Sequence, residues 1–370
     1  MKLIQKNVPI TVICIVTVLL CAACTSPAAQ STSTQSPVLE STISLSTAVP
    51  SATSEPTPEA TPEPTPEPTP TPDPEDAYFL PEDGELIEID ENRTAFTYRT
   101  RTLSIEVNEH INEDKKLRYY VAHIRTRGEA WQFGYGDGKA PGNKRLKPYR
   151  IARNYQAVFA QNGDFFIEPE NPLGVVIRAG TIFADDKRAD TLAFLPDGSL
   201  EVYEKGSITA QELLDQGVEN TMSFGPILVQ DGTSRDLSKS RLGGRNPRSG
   251  LGMVKNGHYV AIVVDGRTAG LSAGATMTEF ADMFVAEGCV LAYNMDGGQS
   301  SGMVFMGDSC NTHAIDVGNN IHGQRPVPDV FWIGVSDQVP EEKAAVINDG
   351  QGNMKDPETV ESKKYANPNE

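Results

Sequence analysis

The sequence predicts an α+β fold, strand-rich mixed sheets with a few inserted helices, and three observations predict it. Short apolar, β-branched runs recur between turn residues from Thr102 to Val335. Asn256-Gly257 joins two of these runs, a strong hairpin signal because this pair accepts the left-handed backbone of a tight two-residue turn. Helix punctuation is confined to two short segments, near Thr209 and near Thr276.

Taken in order, Thr102–Val107 alternates as a strand, and Leu117–Arg125 carries Tyr119, Val121 and Ile124 as a second. Ala157–Ala160, Leu173–Ile177 and Leu192–Leu195 follow, and Pro196-Asp197-Gly198 turns the chain into Leu200–Tyr203. A short helix is expected over Thr209–Gln216, stopped by Gly217. Ile227–Gln230 runs into Asp231-Gly232, and Gly250–Val254 is joined through Lys255-Asn256-Gly257 to Tyr259–Val264. Thr276 and Glu279 have capping-box spacing; Met277, Phe280, Ala281 and Phe284 supply an apolar helical face, with Gly288 as the stop. Strands at Cys289–Tyr293 and Val327–Val335 close the body.

The flanks have a different composition. Lys2 and Lys6 precede an apolar run from Ile10 to Ala23, too short for a secure membrane span and of signal-peptide length. Leu20-Cys21-Ala22-Ala23-Cys24 resembles a bacterial lipoprotein cleavage box, with Cys21 where an aliphatic residue is usual. Residues 1–24 are therefore expected to be a signal peptide, with Cys24 lipidated and the mature protein exported, anchored to the membrane at a bacterial cell surface. Residues 25–75 hold 12 of the 26 prolines and seven acidic residues, without one Lys, Arg or aromatic side chain. Such a stretch cannot offset its ordering entropy by burial, and its alternating prolines favour an extended spacer. Residues 76–337 are expected to form one domain, and 338–370 a polar tail.

Over all 370 residues, 32 Lys and Arg stand against 50 Asp and Glu, a net charge of -18. That balance argues against a sequence-general nucleic-acid binder, which needs a basic face against phosphate. No glycine-rich dinucleotide turn, nucleotide-binding Lys-Ser/Thr loop or two-His zinc spacing is present. An acidic loop could hold Ca²⁺ or Mg²⁺, but no dedicated calcium loop occurs.

Polar residues gather instead at glycine-rich turns after strands. They are Asn162-Gly163-Asp164, Arg245-Asn246-Pro247-Arg248, Asp265-Gly266-Arg267, the run Asn294-Met295-Asp296-Gly297-Gly298-Gln299-Ser300-Ser301, and Arg325 before the closing strand. Each alone can also be read as a structural turn, and the Asn294–Ser301 run is the strongest functional signal. Together, carboxylates and arginines are the equipment for cleaving a glycosyl bond to phosphate: an acid or base works at the anomeric centre while guanidinium forks match the phosphate oxygens. The same set could serve a noncatalytic glycan-binding module, or a phosphodiesterase that cleaves P–O.

These residues, in this order, resemble the phosphodiester glycosidase family, whose bacterial members are often described as exopolysaccharide-related. The likeness runs from Ala157 to Gly334 through seven elements: Asn162–Phe166, Phe224-Gly225-Pro226, Arg245–Arg248, Asp265–Arg267, Ser272–Thr276, Asn294–Ser301 and Arg325–Pro328. The departures are Asp164 for a glycine, Met295 for a leucine and Gln299 for a glycine. The resemblance implies hydrolysis of a sugar-1-phosphodiester in a phosphorylated glycan. Asp265 and Asp296 would be the acid/base or nucleophile, with Asn162 and Asp164 orienting substrate or water. Arg245, Arg248, Arg267 and Arg325 would hold phosphate, while Asn294, Gly297, Gly298, Ser300 and Ser301 would line the oxygen-binding surface. Cys289 and Cys310 could pair in an oxidising exterior.

Overall fold

The computed structural model describes residues 73–342, apart from 137, 139–143, 166–173, 313–314 and 318–319, together with the pairs 347–348 and 354–355. The chain divides into two units, Met1–Pro68 and Thr69–Glu370, and every described residue belongs to the second. The leader with Cys24, nearly all of the tether, most of the tail, Phe166 and Leu173 lie outside the described residues. Among those described, no helix is long and apolar enough to cross a membrane.

In chain order the strands begin with β1 (Leu86–Ile89), β2 (Ala95–Arg99), β3 (Leu103–Asn112), β4 (Leu117–Thr126) and β5 (Gln132–Tyr135). Helix α1 (Pro148–Asn154) leads into β6 (Ala157–Asn162), β7 (Val175–Arg178), β8 (Thr181–Asp185), β9 (Thr191–Phe194) and β10 (Leu200–Tyr203). After α2 (Ala210–Asp215) come β11 (Asn220–Met222), β12 (Ile227–Gln230), β13 (Thr233–Ser234), β14 (Arg248–Lys255) and β15 (His258–Val264). After α3 (Met277–Ala286) come β16 (Leu291–Asn294), β17 (Met303–Phe305), β18 (Asp308–Ser309), β19 (Ile315–Val317), β20 (Asn320–His322) and β21 (Asp329–Val335). The α+β expectation holds: among the described residues, two large antiparallel sheets and several smaller ones carry three short helices.

The larger sheet has the order β1-β2-β3-β4-β15-β14-β16-β12-β13, and the smaller β18-β17-β6-β21-β5. Their facing sides share one core, in which Phe96, Ile105, Tyr120, Tyr259 and Tyr293 meet Phe159, Phe305 and Phe331. Trp131 stands edge-on to Phe159, Tyr259 and Phe331 at 5.3–6.3 Å and so ties the sheets together. The alternate residues Val260, Ile262 and Val264 point to the opposite face and pack under Met277, Phe280 and Phe284 of α3. Both faces of β15 are covered, which is why its sequence is a continuous apolar run rather than an alternating one. Each large side chain buried in this way contributes about 1.5–3 kcal/mol. Both arms of the α3 capping box form, Glu279 N to Thr276 Oγ1 at 3.1 Å and Thr276 N to Glu279 Oε2 at 3.0 Å.

The structure corrects the disulfide expectation. Cys289 and Cys310 are both buried free thiols. Cys289 packs beneath α3 and Cys310 in the core between the sheets, in two separate apolar clusters.

Candidate active site

Antiparallel pairing gathers the polar turns at one sheet edge. Arg248 of β14 pairs with Val264 of β15, and Gly250 pairs with Asn294 of β16. The start of β14 therefore lies beside the ends of β15 and β16, and the turns at Arg245–Pro247, Asp265–Arg267 and Met295–Ser301 meet there. The approach is close: a Cβ on Gly297 would come 2.8 Å from the Pro247 carbonyl oxygen. Gly298 adopts φ +62° in the same turn, which a side chain disfavours, and its N–H donates to that carbonyl at 3.0 Å.

Asn162, at the end of β6, fastens this turn to the smaller sheet. Its Nδ2 donates to the Asp296 carbonyl at 2.7 Å, and its Oδ1 accepts from Gly302 N at 3.0 Å. The clamp sets the Asp296 carboxyl against Arg325, whose Nη2 lies 2.7 Å from Asp296 Oδ2 and 2.6 Å from Ser300 Oγ. Asp296 is only 6% exposed. Burial pushes its carboxyl above the usual aspartate range, while Arg325 and Ser300 pull it back down. The Arg325 guanidinium also lies 5.3 Å from the centre of the Phe165 ring, and Phe165 meets Phe224 edge-on at 6.4 Å.

Asp296, Arg325, Phe165 and Phe224 line the inner end of a cleft of about 950 Å³, while Ser300 and Asn162 lie behind its lining. Arg267 lines it too, with Nε and Nη2 on Asn246 Oδ1 at 2.9 and 2.5 Å and no ion pair among the described residues. Burial, then the charge of Arg325, depress the Arg267 pKa. Asn294 gives its Nδ2 to the Gly225 carbonyl at 2.7 Å, while its buried Oδ1 has no hydrogen-bond partner among the described residues. Gly297, Gly298 and Gln299 complete the inner wall; Arg188, Asp190, Glu204, Lys205, Arg235 and Arg241 form the outer rim. Among the described residues that line the cleft, seven cationic side chains stand against three carboxylates.

Several expected residues lie elsewhere. Asp265 does not line this cleft. It is 5% exposed, with Oδ1 3.0 Å from Asn311 Nδ2 and its carboxyl raised chiefly by burial. Asp164 is enclosed beneath the cleft, accepting from Ser223 N at 2.8 Å and from Arg178 Nη2 at 3.0 Å. The same Nη2 reaches Asp329 Oδ2 at 2.7 Å, and Asp329 Oδ1 accepts from Asp164 N at 2.9 Å. Two carboxylates thus share one guanidinium, and burial raises both above their usual range against the pull of Arg178.

Asn162 is spent on backbone bonds and cannot orient substrate directly. Arg248 lines the cleft, but its Nε and Nη2 are given to the carbonyls of Ala275, Leu242 and Gly244; burial, then Arg267, lower it to about 10. Arg245 points away, to Glu279 at 2.6 Å and the Gly274 carbonyl at 2.8 Å, bracing the first turn of α3. Ser301 is buried, with no partner for its Oγ among the described residues, and lies off the cleft lining. Sequence reasoning missed Arg178, Asp329 and Asn311, together with Arg145, which lies within electrostatic reach of Arg325, Asp296 and Asp329. Only the Arg-rich composition of these turns hinted at them. Among the described residues no group of three or more His, Cys, Asp or Glu side chains gathers as metal ligands.

Residues 155–334 match the family model described as phosphodiester glycosidase. The SPbeta prophage-derived uncharacterized protein YomE of Bacillus subtilis strain 168 is 28% identical over 210 residues, 55% of this chain and 32% of that protein. The chain thus spans about a third of the length of that curated relative. The fold is similar to the catalytic domain of zebrafish N-acetylglucosamine-1-phosphodiester alpha-N-acetylglucosaminidase, auto-inhibited by its pro-peptide. That likeness has a TM-score of 0.50 and 19% identity, over 62% of this chain and 82% of the other. These likenesses do not extend to an exopolysaccharide-related subgroup.

Proposed function

Taking the chain as a member of the phosphodiester-glycosidase superfamily, which the match over residues 155–334 supports, we propose that it hydrolyses a sugar-1-phosphodiester. Water adds across the C1–O bond: its hydroxyl joins the sugar carbon, and the departing phosphate oxygen receives a proton. The products are a free sugar and a phosphomonoester of a cell-envelope or extracellular glycan.

One observation carries this reading: a buried carboxyl, Asp296, paired with Arg325 at the inner end of an arginine-rich cleft. Asp296 is the acid/base group in this scheme. Its raised pKa keeps a proton on hand nearer to neutral pH, and a positioned acid or base of this kind is worth about 10²–10⁴ in rate. Arg325 and Arg267 take the phosphate. Among the described residues Arg267 is held by the neutral Asn246 oxygen alone, which it can exchange for a phosphate oxygen at small cost. A phosphate leaving group needs less protonation than an alkoxide, so fixed positive charge supplies much of the transition-state stabilisation. Asn294 Oδ1 offers a buried acceptor to a sugar hydroxyl. Asp265 acts from outside the cleft, holding Asn311, whose Nδ2 also reaches the Ser301 carbonyl at 3.1 Å.

The same proposal places the protein outside the cytoplasm. Residues 1–24 direct export, Cys24 carries the lipid, and residues 25–75 hold the domain at 76–337 away from the membrane. Incubation with a panel of sugar-1-phosphodiesters and with UDP-N-acetylglucosamine in ¹⁸O-water tests the chemistry. The label is expected on the released sugar. Label on the phosphate would replace this reading with P–O cleavage, and binding of the glycans without turnover would replace it with a recognition module.

A further inference from the structure

We propose that the outer rim of the cleft is a second anion subsite, built on Lys205 and Arg241 and flanked by Arg188 and Arg235. It holds the next phosphate of a glycan chain that repeats phosphodiester links. The inference rests on the hydrolytic reading of the inner cleft and names the class of its substrate.

The chain is strongly acidic, at a net charge of -18, yet cations outnumber carboxylates among the described residues that line this cleft. The rim cations come from three separate segments: Arg188 before β9, Lys205 after β10, and Arg235 and Arg241 between β13 and β14. Folding, rather than a basic run in the sequence, brings them together. Glu204 positions Arg235 at 2.5 Å, and Asp186 positions Arg188 at 2.7 Å. Lys205 and Arg241 make no ion pair among the described residues, which leaves their charge for a ligand. The cleft, about 950 Å³, lies at the top of the range of about 300–1,000 Å³ that encloses a drug-sized ligand. One glycosyl phosphate at Asp296 and Arg325 would leave the rim end unfilled. Rim charges act over a Debye length of about 8 Å at physiological salt, so they recognise an anion that is delivered by a tether better than a free one. Single-stranded nucleic acid also repeats phosphodiesters, but binding it takes aromatic platforms for successive bases. Among the described residues, the aromatic rings that line this cleft, Phe165 and Phe224, stand at the Arg325 end and none lines the rim.

The test is calorimetric titration, at physiological ionic strength, with C-glycosyl phosphonate analogues that cannot be cleaved at C1. One analogue carries a single N-acetylglucosaminyl phosphonate methyl ester, and the other three such units in a chain. The wild-type protein should bind the trimer about tenfold more tightly than the single unit. The double variant K205E/R241E should lose that gain while its affinity for the single unit stays the same. Equal affinities in the wild type, a gain that survives in the double variant, or hexathymidylate bound as tightly as the trimer would overturn the subsite. A trimer gain without turnover of the natural esters would remove the hydrolytic reading and leave the subsite standing. No binding of either analogue would overturn both.

Discussion

Asp296–Arg325 and Asp164–Arg178–Asp329 are built from the same chemistry and differ in what can reach them. Arg325 keeps 27% of its side chain exposed and faces a cleft, whereas Arg178 keeps 1% and its two carboxylates none. A guanidinium at a cleft can trade part of its pairing for a ligand oxygen. One sealed between two carboxylates has nothing to trade, and removing it strands buried charge. Similar residue types thus produce a group open to a cleft in one place and a sealed brace in the other. The brace stands directly behind the site: Asp164 precedes Phe165, and Ser223, which donates to Asp164, precedes Phe224.

The largest effect separating the two is on stability. Arg178→Met should cost about 3–5 kcal/mol in denaturant unfolding, because two buried carboxylates lose their counter-charge. Arg325→Met should cost less than about 1 kcal/mol, since its partner can be hydrated from the cleft. Equal losses would erase the distinction. Next in size, Arg267→Gln should raise KM for a sugar-1-phosphodiester about tenfold, the loss of one charge-assisted bond, with unfolding unchanged. An unchanged KM would remove Arg267 from the phosphate site.

The smallest effect is the pH dependence of stability. Asp164, Asp329 and Asp265 hold their protons in the folded state above the ordinary aspartate value of 3.8. The folded protein therefore binds more protons than the unfolded chain above that value, so stability falls as pH rises upward from about 4 through the raised titrations. Asp164→Asn removes the excess acid and should flatten that fall. Denaturation midpoints across the range would show it, and an unaltered slope would place the titration elsewhere.

What the sequence revealed follows from how local each signal is. The Asn256-Gly257 hairpin and the Thr276–Glu279 cap depend on neighbours in the chain, and both form as read. The glycine-rich turns were legible because strand pairing brings the start of β14 to the ends of β15 and β16. Partners were not legible. Asp164 finds Arg178 14 residues on and Asp329 165 residues on, and Asp265 finds Asn311 46 residues on. Sequence shows that Arg245 and Arg248 are cationic; only the fold shows that one is given to Glu279 and the other to backbone carbonyls. Strands β1 and β2 were missed because each is only four or five residues long, and Phe96 and Tyr98 of β2 gain their burial from the core between the sheets, most of which lies far away in the chain.

The contrast between the two candidate acids, Asp296 in the cleft and Asp265 behind it, is tested most directly by one pair of rate measurements. On a sugar-1-phosphodiester, Asp296→Asn should lower kcat by about 10²–10⁴ at unchanged fold stability, while Asp265→Asn should retain a rate within about tenfold of the wild type, the order of one lost hydrogen bond. An Asp296→Asn protein that turns over at the wild-type rate would contradict the assignment of the cleft as the catalytic site.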